Sequence, residues 1–398
     1  MANNILTHQM IAREAVAMLV EDTFIKTINT GRSDEFGETV NGYKKGQTVS
    51  IDVPATPVAF DGASFAGGGS APDFTESSVL LTLDTQKHVP LTFTAKEKLL
   101  NITEFKNRIL RPSMQALIST VQADLLTRMK NQTPNVVGTW GTTPNTRTTY
   151  GQARASLQRF LAPPDMRNVQ FSSDANLALV EANAALFNRG PEVSEEFAEG
   201  AVGEFAGFEF FENQSLPVHL NGAGTGYLVN GAAQTGSTLA VNTGTGNITR
   251  GSIITIAGVN AVHPITGQTL GVPRQFLVTA DYAGGAGNIS ILPALIPTTA
   301  SVIGTVTASP AAGAAITIFG TVSTSARQNF AYQKNAFTAA FAPLPVLASC
   351  EGYTATMQGI SVRVMTFGDG KADVENTRVD VLYGEAATRP DHSVRITQ

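Results

Sequence analysis

Residues 243–259 read TGTGNITRGSIITIAGV, and their reading decides the architecture of the middle of the chain. Glycines at 244, 246 and 251 invite comparison with a phosphate-cradling loop. Such a loop needs the spacing G-x-G-x-x-G, so that backbone N–H groups can approach a pyrophosphate. It also needs a following helix whose positive N-terminus completes the anion site. Neither condition is met. The spacing differs, and Ser252-Ile-Ile-Thr-Ile-Ala257 is short and β-branched, which predicts a strand. No G-K-[ST] triplet occurs anywhere in the chain. The stretch reads as a turn entering a strand.

Its surroundings extend that reading. Between Gly222 and Ser325 the only charged residues are Arg250, Arg274 and Asp281, although the whole chain carries 27 Lys and Arg and 32 Asp and Glu. Segments STLAV, SIITIAGV, RQFLVTA, NISILPAL and AITIFG alternate with glycine turns, the pattern of an all-β domain inserted into a mixed chain.

Upstream, TEFKNRILRPSMQALISTVQADLLTRMKNQ (103–132) repeats Leu110, Met114, Leu117, Val121, Leu125 and Met129 at helical spacing. Pro112 fits the first turn of its main piece. From Pro112 to Met129 that helix spans roughly 27 Å at 1.5 Å per residue. Before it, Val49, Ile51 and Val53, then Val79, Leu81 and Leu83, then Val89, Leu91 and Phe93 alternate with period two. They flank PATPVAFDGASFAGGGSAPDF, so a long hairpin with a glycine-rich tip is expected. Residues 7–28 place Ile11, Ala15, Met18, Phe24, Ile25 and Ile28 on one helical stripe, either an ordinary core helix or an arm that docks on a neighbour. Helices are also expected at 150–161 and at 173–187, the latter capped by Ser172 or Ser173. The acidic segment 191–200 reads as a solvated loop or short helix. Near the end, Val379, Val381 and Tyr383 alternate as in a strand, and GDGKADVEN lacks the ligand spacing of a calcium loop.

Composition narrows the function. With 398 residues, 42% of them hydrophobic, the chain can bury a sizeable core, and a net charge of −5 proposes no basic face for reading nucleic acid. The single cysteine, Cys350, excludes an intrachain disulfide, and His8, His88, His219, His263 and His392 sit in no metal or nucleophile-base motif. No catalytic, cofactor-binding or metal-ligating residue is expected. The N-terminal sequence has no signal-peptide pattern and no apolar run is long enough to span a bilayer, so synthesis in a cytoplasm is expected, without a membrane partner.

In this order, KNRI (106–109) leading through the long helix to Asn131, GEFAGFEFFENQSLPV (203–218), RQNFAYQKNAFTAAFAPLP (327–345) and VDVLYGEAATRP (379–390) resemble the major capsid proteins of tailed double-stranded-DNA bacteriophages. Among these the resemblance is to the short-tailed-phage coat proteins that carry an insertion domain. It implies an α+β, HK-97-like major capsid protein fold with an inserted all-β, barrel-like domain. The implied divisions are an N-terminal arm at 1–32, an extended loop at 33–95 and a peripheral domain with its spine helix at 96–135, completed by 376–398. An axial domain at 136–217 would be completed by 326–375, and the insertion domain would span 218–325.

The resemblance also implies no enzyme activity and no cofactor. The partners it implies are copies of the chain itself as hexamers and pentamers, a scaffolding protein, a portal, and packaged DNA bound without sequence specificity. The virion would be the location, after synthesis in the host bacterial cytoplasm. Phe60, Phe65, Gly67, Gly68 and Gly69 of the hairpin tip, with Ile11, Met18 and Ile25 of the arm, are the expected inter-subunit contacts. The sparse charge of the insert departs from the family pattern, so its contacts are not carried over. A secreted adhesin or surface-layer subunit and a hydrolase are the rival readings. The missing signal pattern and the helical first half weigh against the adhesin, while no G-x-S-x-G, H-E-x-x-H or C-x-x-C sequence supports a hydrolase.

Overall fold

The computed structural model describes residues 8–20, 23–32, 39–40, 43–44, 48–54, 62–64, 77–94, 111–183, 204–298, 304–369 and 374–398. Two compact units share the chain. One takes Met1–Ile51, Ser78–Leu125 and Phe337–Thr388, the other Asp52–Ser77, Leu126–Ala336 and Arg389–Gln398.

The first unit is built on a five-stranded antiparallel sheet. Its spine is β21 (Val374–Ala387), long enough to take β5 (Thr85–Thr94) along one side. The other side is shared end to end by β20 (Ile360–Asp369) and β18 (Phe337–Ala342), and β19 (Glu351–Met357) pairs with β20. The predicted alternation is realised here, with Val379, Val381 and Tyr383 buried on one face. On the other face Asp380 is fully buried, which is tolerated because two guanidiniums neutralise it: Arg363 donates at 2.7 and 3.1 Å and Arg378 at 2.5 and 2.9 Å.

Helix α1 (His8–Val20) packs on β19 and β20, followed by the single turn α2 (Thr23–Lys26). The expected stripe is rotated. Ile11, Ala12, Ala15, Val16, Leu19 and Val20 face inward while Met18 is only partly buried, because two adjacent residues per turn pack better on a broad sheet than one. Strands β3 (Thr48–Val53) and β4 (Ser77–Thr82) pair as the base of the expected hairpin, and Val49, Ile51, Leu81 and Leu83 pack with Ala340, Ala342 and Ala386. A two-strand ribbon, β1 (Thr39–Val40) with β2 (Tyr43–Lys44), precedes them.

Helix α3 (Arg111–Lys130) has Pro112 in its first turn and Met114, Leu117, Val121 and Leu125 buried. Tyr383 donates to Asp124 of this helix at 2.9 Å.

The second unit holds two sheets. A seven-stranded mixed sheet runs β6 (Asn135–Val137), β22 (Ser393–Thr397), β17 (Ser325–Gln333), β7 (Arg167–Phe171), β9 (Phe208–Glu212) and β8 (Glu204–Phe205), with β10 (Val218–Leu220) also on β17. One face is covered by α4 (Arg147–Arg159) and α5 (Ser173–Asn183), whose Tyr150, Ala153, Leu157, Ala175 and Leu179 meet Val169, Phe171, Val394 and Ile396. Ser172 Oγ accepts from the Ala175 N–H at 3.1 Å, an N-cap for α5. Of the two candidate caps, it is Ser172 that acts.

The other sheet is a barrel made by residues 228–318. Strands β11 (Leu228–Val229), β12 (Gly236–Asn242), β15 (Gly287–Leu295), β14 (Thr269–Val278), β13 (Ile253–Val262) and β16 (Ile316–Ile318) follow one another in that order. The ring then closes, since Ile316 donates to Tyr227 O at 3.0 Å and Leu228 bridges Ala315. Closure removes the free edges that so apolar a sheet would otherwise expose. Its interior is filled by Val229, Leu239, Val241, Ile254, Ile256, Phe276, Val278, Ile289 and Ile291 with their neighbours.

Residues 337–388 belong to the first unit, and 325–333 with 393–397 to the second, because hydrogen-bond register along β21 and β17, not chain order, assigns each strand.

Candidate assembly surface

A surface that joins copies of one chain is built from exposed apolar groups on supported elements, and from connections that fix inserted domains. Ile11 and Ile25, expected to contact a neighbour, are buried in this chain's own first unit, where His8 Nε2 and Thr366 Oγ1 lie 2.8 Å apart beside α1. The outer face of α1, with the exposed Met10 and the half-buried Met18, is what the helix offers outward. Phe60, Phe65, Gly67, Gly68 and Gly69 lie outside the described residues. At the hairpin base the alternation that turns Leu81 inward turns Leu80 outward, leaving it 64% exposed. The run VLLTL (79–83) could have shown this, since a strand with one buried face has no packing reason for leucine on the other.

A second exposed apolar pair sits on β10. Val218 and Leu220 are 52% and 57% exposed, and His219 between them is buried. Strand β10 pairs antiparallel with β17, Leu220 opposite Ser325, so the chain leaves for the barrel and returns from it side by side. Asn221 and Ser323 continue the pairing through N–H donations to Thr324 O and Gly222 O.

The barrel root is fixed to the sheet by polar and aromatic contacts. The Gln275 side chain bonds the edge of β6 as a strand residue would, donating to Val136 O at 2.9 Å and accepting from Val136 N–H at 2.8 Å. Arg274, the barrel's one deeply buried charge, pairs with Asp391 at 2.6 Å and lies 4.4 Å over the Phe160 ring. Trp140 donates to Thr324 Oγ1 at 2.8 Å and meets His219 and Phe319 edge-on. Val136, Ile253 and Leu277 form the apolar centre of this junction. Sequence reasoning placed Arg274 in the insert but had no signal for its partner, 117 residues away.

Burial lowers the His219 pKa to about 3, with Arg395 and Lys130 adding to the effect and Asn221 opposing it. His219 is therefore a neutral structural ring. Burial likewise pushes the Tyr150 phenol above its ordinary range. Cys350 is a half-buried free thiol near Ser349 Oγ, and no group of three His, Cys, Asp or Glu residues among the described residues could hold a metal ion.

The glycines first read as a possible phosphate loop have structural duties. A Cβ on Gly244 would lie 2.0 Å from the Tyr227 ring. Gly246 has φ +78°, and a Cβ there would lie 2.3 Å from Ala223 O.

No curated protein sequence matches the chain. Among solved structures, a chain described as "Mycobacterium phage Che8" is 12% identical with a TM-score of 0.50, covering 94% of this chain and 91% of that one. "Capsid structure of the Cyanophage P-SCSP1u" matches at 12% identity and a TM-score of 0.46, over 93% and 88%. "CUS-3 coat protein I-domain" matches at 26% identity and a TM-score of 0.20, covering 24% of this chain and 95% of that one. The fold is α+β and HK-97-like. A family model described as "P22 coat protein - gene protein 5" matches residues 16–397, strands and barrel included. With that match spanning nearly every element described above, the chain belongs to the P22 coat protein family.

Proposed function

We propose that this subunit, a phage major capsid protein and not an enzyme, closes into an icosahedral shell of pentamers and hexamers around double-stranded DNA. The observation that carries the reading is the family match across residues 16–397, on a fold whose barrel is inserted between two paired strands. In this reading the first unit supplies the peripheral domain and extended loop, the seven-stranded sheet supplies the axial domain, and residues 218–325 supply the insertion domain. Leu80 and Met10, with Phe60, Phe65, Gly67, Gly68 and Gly69, would meet neighbouring copies, while Ile11 and Ile25 hold the arm's base to its own subunit. A scaffolding protein and a portal would take part in assembly, in the host cytoplasm. A chain of net charge −5 can line packaged DNA without the tight phosphate binding that clustered cations would bring.

Electron microscopy of the purified full chain, alone and with co-expressed phage proteins, tests this. Closed shells are the expected result. A monodisperse monomer under every condition would overturn it.

A further inference from the structure

One face of the seven-stranded sheet carries a buried cation, Arg395, that no acid among the described residues neutralises. Arg395, on β22, pairs across to Phe330 of β17 and Val136 of β6. Its side chain is 1% exposed, its Nε has no hydrogen-bond partner, and no ion pair reaches it among the described residues. His219 lies opposite Ala326, four residues along β17 from Phe330, and therefore on the same sheet face. Lys130 ends α3. The next residue, Asn131, has a buried Oδ1 without a hydrogen-bond partner, within 2.9 Å of where a Cβ on Gly251 would stand, and the His219 ring is 3.4 Å from that same point. Arg250 precedes Gly251.

These groups feel one another. Lys130 is pushed down by burial, then by Arg395 and Arg250. Burial alone takes Arg395 to about 9, which leaves it charged at neutral pH. Asp391 pairs with Arg274 at 2.6 Å, and Asp281 accepts from the Arg250 backbone N–H at 2.7 Å.

A buried guanidinium is tolerated when a counter-charge and hydrogen bonds replace its water. We propose that Arg395 and Lys130, with the Asn131 amide turned to present its N–H₂, form a binding site for one small inorganic anion of chloride size at the root of the barrel. The near-complete burial of Arg395 excludes a carboxylate from another chain and favours a compact anion. Such an ion makes the hold of barrel on sheet depend on a specific solute and not on ionic strength, and the site belongs to the isolated subunit whatever shell it builds.

Thermal unfolding of the full chain, in sodium chloride against sodium gluconate at equal ionic strength, tests the site. The midpoint is expected to rise and saturate with chloride but not with gluconate, as for a ligand that binds only the folded state. Arg395→Met should abolish the chloride response and be at least as stable as the parent in gluconate, since it removes the charge and keeps the length. Should that variant not fold, Lys130→Met decides, with at least tenfold more chloride needed for half the effect. Arg327→Met, at an exposed arginine, should leave the response intact. Equal responses of the parent to both salts would overturn the proposal, as would a chloride response retained in both Arg395→Met and Lys130→Met. An Arg395→Met variant equally destabilised in both salts would show a merely structural arginine and overturn it too.

Discussion

At residue 246 the backbone occupies the left-handed region, and the space a Cβ would need is taken by the Ala223 carbonyl. Gly246→Ala combines the conformational penalty of roughly 1–2 kcal/mol with a steric overlap worth about as much again. It should therefore destabilise the barrel by roughly 2–4 kcal/mol in denaturant melts. The full chain should show no saturable nucleotide binding to lose. His219 gives a pH prediction. Its folded pKa, about 3, lies below the ordinary 6.5, so the unfolded chain takes the proton first as pH falls. The stability it contributes is present above about 6.5 and lost toward 3, with a slope of up to ~1.4 kcal/mol per pH unit. His219→Gln should flatten the acid limb of a stability-against-pH curve. The slope should not vanish, because burial lowers His392 in the same direction. An unchanged curve would mean that the ring is protonated in the fold. Of these two residues the sequence displayed the glycine and its strand-forming neighbours. It gave no sign of the histidine's surroundings, which come from α3, β22 and the barrel, distant in the chain.

Elements were legible where one period dominated. The helix at 111–130 and the strands at 236–242, 253–262 and 287–295 follow the apolar patterns that predicted them. Two features were not. The inward face of α1 turned away from the predicted stripe because the sheet beneath it accepts two residues per turn, a preference set by the partner and not by the helix. The pairing of β5 with β21 joins residues nearly three hundred positions apart, and alternation says that a strand exists without saying whom it meets. The hairpin base supplies a test that separates folding from assembly. Leu81 is fully buried with Val49 and Ile51, so Leu81→Ala should cost roughly 2–5 kcal/mol of subunit stability. Leu80 is 64% exposed in the same strand, and Leu80→Arg should change stability by less than about 0.5 kcal/mol while reducing shell yield seen by electron microscopy. Normal shells from Leu80→Arg would remove this face of the hairpin from the proposed interface.

Over the whole molecule, the question is whether the barrel is a domain in the energetic sense or a loop held in shape by its host. Its interior cluster draws only on residues between Tyr227 and Ile318, and its strand ring closes on itself, so the main apolar core and nearly all of the backbone pairing stay within the excised piece. What excision loses is the junction: the Gln275 bonds to β6, the Arg274–Asp391 pair, and the packing of Ile253 and Leu277 on Val136. Those contacts sit on the outside of the barrel. A fragment spanning 222–325 should accordingly show strand-type circular dichroism and a single cooperative melt, with a lower midpoint than the barrel has in the full chain. The junction can be weighed within the full chain as well. Arg274→Ala leaves the partly exposed Asp391 unpaired and uncovers the Phe160 ring, and should cost roughly 3 kcal/mol, the low end for a broken buried pair. Because the pair lies outside the barrel core, Arg274→Ala in the isolated fragment should cost far less. An equal cost in both would place Arg274 in the barrel's own stability. A fragment without a cooperative melt would show that the closed ring needs the sheet beneath it to form.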